Sequence, residues 1–141
     1  MQDAKLDLGS FRGAIEALRT AFDVYDNSKL SDVAPEKIVL RDGVIQRFEF
    51  TFELSWKTLK RYLEEYGLEQ VDGMTNRELF RVGFEQGLLD HPETWFHYLR
   101  MRNQSSHVYN EGKAAAVFSA ARNFLHDVQS LLDRLEAKIN A

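Results

Sequence analysis

Arg102, Asn103, His107 and Tyr109 bring a permanent cation, an amide, a titratable imidazole and a phenol into eight consecutive residues. Such groups handle phosphate. An arginine fork can hold a phosphate through two parallel hydrogen bonds, and an imidazole that titrates near neutrality can move a proton to or from a ribose hydroxyl. On an unbroken helix Arg102 and His107 would point about 140° apart, because each residue turns the chain by roughly 100°. The intervening Asn103, Gln104, Ser105 and Ser106 prefer caps and turns, since the side chains of Ser and Asn compete for backbone hydrogen bonds. The spacing therefore predicts a break over 103–106 that lets the two groups converge.

Length and charge frame what such a site can serve. The chain has 141 residues, 44% hydrophobic and 28% charged, which fits one domain over 1–141 with a substantial core. Its net charge of -4 argues against a broad basic surface that coats nucleic acid, but leaves room for a local phosphate site. There is no cysteine, hence no disulfide or thiolate metal centre. His91, His97 and His126 lack metal-ligand spacing, and no glycine-rich phosphate loop is present, so neither a metal nor a cofactor is expected. No apolar run approaches the length needed to span a bilayer, and the segment 1–7 is too polar for a signal peptide; the expected location is the cytoplasm.

The elements that must position the motif read as helices. Phe11, Ile15, Leu18, Phe22 and Tyr25 recur at spacings of three and four and predict a first helix over about 8–25. Pro35 opens a second that runs to Tyr66 and stops at Gly67, reaching roughly 46 Å at 1.5 Å per residue. On it Ile45, Phe48, Phe52, Trp56, Leu59, Tyr62, Leu63 and Tyr66 form the expected core arc. Phe50 and Leu54 lie opposite, among Arg47, Lys57 and Arg61, and read either as scattered exposed apolar residues or as a contact surface for a second copy. Glu49, Glu53, Lys57 and Arg61 follow an i, i+4 series that predicts a solvated ladder of ion pairs, with Glu53 also a candidate neighbour of the motif. Thr75 and Glu78 make a capping box for a short third helix fading near Gly87. Pro92 starts a fourth helix with Trp95, Phe96, Leu99 and Met101 inward. The last, over about 112–139, turns Ala116, Phe118, Ala121, Phe124, Leu125, Val128, Leu131, Leu132, Leu135 and Ile139 to the core. The fold expected is all-α, an up-and-down antiparallel bundle of four to five helices.

Two blocks carry a family resemblance: RDGVIQRFEFTFELSWKTLKRYLEEYG at 41–67, and Trp95 followed by MRNQSSHVYNE at 101–111. Together, with the spacing Arg-x4-His-x-Tyr, they resemble HEPN-domain proteins, and within these the nucleotidyltransferase substrate-binding proteins. The resemblance implies homodimers that work with a separate minimal nucleotidyltransferase, as in toxin–antitoxin pairs. It implies a noncatalytic subunit that binds nucleotide through Arg102, Asn103, His107, Tyr109 and Glu53. The related toxins imply an alternative, a metal-independent ribonuclease in which His107 is general acid or base, Arg102 stabilises the transition state and Tyr109 is nucleotidylated by the partner. A third reading makes the motif architectural, with Arg102 capping helix carbonyls or paired with Glu111.

Overall fold

A computed structural model describes residues 6–67 and 70–141 of the chain. The part of the polar N-terminal segment before residue 6 lies outside the described residues. Five α-helices follow in order: α1 Gly9–Asn27, α2 Pro35–Tyr66, α3 Asn76–Glu85, α4 Pro92–Gln104 and α5 Glu111–Ile139. Among the described residues there is no strand.

Local chemistry places most of the boundaries. Pro35 and Pro92 stand in the first turns of α2 and α4, where a missing N–H costs nothing. Thr75 and Glu78 cap each other's backbone at the start of α3, at 3.2 and 2.8 Å. Asn110 accepts the Lys113 N–H at 3.0 Å and starts α5. His91, just before Pro92, adopts φ 40, a left-handed backbone uncommon outside glycine but entered more often by His, Asn and Asp than by other residues.

Long-range pairs give the directions. Tyr66 Oη at the end of α2 accepts the Leu6 N–H ahead of α1, and the Lys37 ammonium at the start of α2 donates to Ser28 O after α1; the two helices are antiparallel. Arg122–Asp26 and Arg12–Glu136 clasp α5 antiparallel to α1. Arg134–Asp90 and Tyr98–Asp127 do the same for α5 and the α4 segment. The four long helices thus form an up-and-down antiparallel bundle, with short α3 packed against α2 and α4. Gly83 is where α3 comes closest: an added Cβ would stand 3.2 and 3.3 Å from methyls of Leu59 and Leu89.

The core is aromatic at its centre, where Phe48, Phe52, Phe80, Trp95, Tyr98 and Phe124 meet at ring separations of 5.1 to 6.3 Å. Several expected faces shift. Trp56 is half-buried and Tyr66 is exposed, while Val44, Thr51, Ser55 and Thr58 complete the buried face of α2. Thr51 and Ser55 satisfy their hydroxyls on helix carbonyls, Thr51 reaching Arg47 O at 2.7 Å and Ala14 O at 3.2 Å, and Ser55 reaching Phe52 O at 2.6 Å. Leu54 is not opposite the core but half-buried against it; Phe50 remains 60% exposed. On α5, Ala116 is exposed, and Ala114, Val117 and Ala120 are buried instead.

Candidate functional site

Helix α4 carries the motif to its end. The α-helical turns continue through Asn103 and Gln104, and the break comes only at Ser105, where a 3-10 turn over Ser105–His107 leads into the start of α5. Arg102 therefore remains helical and projects toward α2. Its Nε lies 3.3 Å from Glu53 Oε2 and its Nη1 3.5 Å from Glu49 Oε2. These are ion-pair distances with poor hydrogen-bond angles: the Nε is buried and has no hydrogen-bond partner among the described residues.

The two carboxylates sit one turn apart on α2, a like-charged pair that costs a few tenths of a kcal/mol on an isolated helix. A cation between them relieves the repulsion. Glu53 is held further by the Trp56 indole N–H, which donates to Oε1 at 3.3 Å. Buried Ser105 has its hydroxyl against the Glu49 carboxylate and 2.6 Å from Arg102 O, and with one proton it donates to one of them at a time. The expected ladder through Lys57 and Arg61 is absent among the described residues, because Glu49 and Glu53 turn to Arg102.

His107 and Tyr109 form a second group. The imidazole Nδ1 and the phenol oxygen are 3.0 Å apart, with the rings edge to face, and Tyr109 is 81% exposed. No hydrogen bond, ion pair or ring contact joins this group to Arg102 among the described residues. The helix breaks at Ser105, within the 103–106 stretch where the spacing predicts it, and Arg102, still helical, pairs with α2. Asn103 is exposed on another side of α4. Glu111 pairs with Arg41, not Arg102, at 2.8 Å, and the Arg41 guanidinium holds the Glu111 carboxyl below its ordinary value. Sequence reasoning misses Ser105 as a partner and Glu49 as part of the site; the signal available for Glu49 is a pair of acids one helical turn apart with no basic residue between them on that face.

Residues 6–137 match the family described as nucleotidyltransferase substrate binding protein like. The chain belongs to this family. Three further likenesses stand beside this match. One relative is the Haemophilus influenzae protein named Probable ribonuclease HepT, 30% identical over 98% of this chain and 97% of its own length. A solved Haemophilus influenzae structure, described as revealing the fold of a substrate binding domain of a nucleotidyltransferase, superposes with a TM-score of 0.83 at 30% identity, covering 92% of this chain and 99% of the other. A crystal structure of a Thermus thermophilus protein superposes with a TM-score of 0.69 at 35% identity, over 86% of this chain and 98% of its own. The all-helical bundle is thus the substrate-binding family's fold. No helix is long and apolar enough to cross a membrane, among the described residues.

Proposed function

We propose that this protein is the substrate-binding subunit of a separate minimal nucleotidyltransferase, acting in the cytoplasm as a homodimer, each copy a single domain over 1–141. Nucleotide or RNA phosphate binds beside Arg102, Asn103, His107 and Tyr109, with Glu53 setting the charge of the site. The observation that carries this reading is the hold of Glu49 and Glu53 on Arg102. A ribonuclease needs that guanidinium facing the charge that develops on phosphorus, with the imidazole close by. Within one copy two carboxylates outweigh the one cation, and the imidazole makes its hydrogen bond to Tyr109. A binding role demands only that the groups be presented, which the half-buried His107 and exposed Tyr109 satisfy.

A second reading, the ribonuclease neutralised at Tyr109, is favoured by the relative named Probable ribonuclease HepT and by the exposure of the Tyr109 phenol. In that modification the phenol oxygen attacks the α-phosphorus of a nucleoside triphosphate bound to the partner, pyrophosphate leaves, and the phenolic proton passes to His107 or water. One experiment separates the two. Single-stranded RNA is incubated with chelator and with wild type or His107→Ala, after mass spectrometry has shown Tyr109 unmodified. Intact RNA throughout, with co-purification of a minimal nucleotidyltransferase, is the expected result. Cleavage by wild type that falls about 10²- to 10⁴-fold in His107→Ala, the contribution of a general acid or base, overturns it.

A further inference from the structure

Six arginines, Arg12, Arg19, Arg41, Arg102, Arg122 and Arg134, are each paired with a carboxylate. Among the described residues, Arg77 and Arg81 of α3 are not. Both are exposed, one turn apart, and both lay their guanidinium groups over the same ring, that of Phe96, at 4.9 and 5.0 Å from its centre. Phe96 is buried beneath them, so the ring anchors two cations whose residues remain exposed. Two like charges held this close repel one another, and an anion between or across them removes the repulsion.

The arrangement extends along both helices. On α3, Phe84 follows Arg77 by seven residues and Arg81 by three, which puts it on their side of the helix, and it is 50% exposed. On α4, Arg100 and Asn103 follow Phe96 by four and seven, within about 40° of its direction; both are exposed and Arg100 has no ion pair among the described residues. Continuing along the chain, this stripe reaches the turn that bears His107 and Tyr109. Exposed carboxylates border it: Glu78 three residues before Arg81 and Glu85 four after it on α3, and Glu93 at the start of α4, about 15 Å from Asn103 at 1.5 Å per residue.

We infer that Arg77, Arg81 and Arg100 form a phosphate-binding strip outside the motif, and that its occupant is a single-stranded nucleic acid whose backbone is led along α4 toward His107 and Tyr109. Cations interleaved with exposed aromatic rings are what a single strand uses, with phosphates on guanidinium edges and bases on rings such as Phe84 and Tyr109. A duplex hides its base faces. An acidic polypeptide would use the cations but leave the rings idle. The inference deepens the reading above, since the phosphate handled at the motif becomes one of several on a strand.

The test is fluorescence anisotropy with labelled oligouridylate and oligothymidylate over a salt series, against a duplex of equal charge and against polyglutamate as competitor. Wild type is expected to bind either single strand more tightly than the duplex. Arg77→Gln/Arg81→Gln should weaken single-strand binding by at least about 10-fold and make the dependence of log K on log salt shallower by about 0.7 for each phosphate no longer neutralised. Arg77→Lys/Arg81→Lys should restore the salt dependence. Arg100→Gln, which covers no ring, should act in the same direction and guards against a folding defect in the pair. Unchanged binding in both Gln variants, or polyglutamate competing as well as the oligonucleotide, overturns the strip. A mononucleotide titration of Arg102→Ala is independent of these arms, so failure of the motif as a nucleotide site is distinguishable from failure of the strip.

Discussion

Arg102 is a guanidinium whose neighbours carry two negative charges, with its Nε buried and without a hydrogen-bond partner among the described residues. A phosphate arriving at this site must displace a carboxylate or share the guanidinium with it. Removing either negative charge should therefore help. Glu49→Gln and Glu53→Gln are expected to raise affinity for a mononucleotide by up to about 10-fold, the scale of one charge-assisted hydrogen bond no longer competing, and to lower stability by about 1 kcal/mol or less, as befits a partly exposed pair. Isothermal titration at fixed ionic strength, with thermal melts of the same variants, measures both. Lower affinity in both variants would mean that the carboxylates orient Arg102 toward the ligand and do not compete with it. This arrangement is only half legible in the sequence. The motif itself announces phosphate chemistry and the acids of α2 offer Glu53 as its neighbour, but nothing local shows that Glu49 joins it and that both carboxylates turn to one guanidinium about 50 positions away in the chain.

Among the elements, the second helix does most to organise the molecule. It is 32 residues long, about 48 Å at 1.5 Å per residue, and it meets α1, α3, α4 and α5 in turn. A single apolar arc drawn from periodicity assumes one partner. That is why periodicity puts Trp56 and Tyr66 in the core although they emerge half-buried and exposed, and why it turns Leu54 outward although it packs inward. Helix starts are more legible, since Pro35, the Thr75–Glu78 box and Pro92 act on their own immediate backbone. Phe50 remains as a large apolar residue on the outer side of α2, and it is the proposed contact for a second copy. Light scattering at micromolar concentration should show a dimer for wild type and a shift toward monomer for Phe50→Asp; a wild-type monomer would remove the case for this face.

Across the whole molecule, ion pairs fasten the ends of the bundle. The Asp26 carboxyl is held below its ordinary value of 3.8 first by the hydrogen bonds of Arg122, and the Asp90 carboxyl likewise by Arg134. Glu111 is lowered from 4.5 by Arg41, and Glu78 by the Thr75 backbone N–H it accepts. A carboxyl lowered on folding contributes stability that is fully present above its unfolded value and is lost as pH falls through its folded one. Melting temperature should accordingly vary little from about pH 8 to about pH 5 on account of these groups and decline below about pH 4. Asp26→Asn with Glu111→Gln should melt lower at neutral pH and show a shallower acid decline, by scanning calorimetry. An unchanged acid slope would assign the decline to other carboxylates.

The antiparallel clasp between α1 and α5 also decides where attachments can go. Leu6, Leu8, Arg12, Glu136 and Ile139 line one small cleft, so both ends of the described chain emerge at the same pole of the bundle. The His107 and Tyr109 turn precedes α5 at the opposite pole, about 43 Å away along 29 residues at 1.5 Å each. A tether to a sensor chip, or a fluorophore fused to either end, would orient the motif outward into the bulk solution.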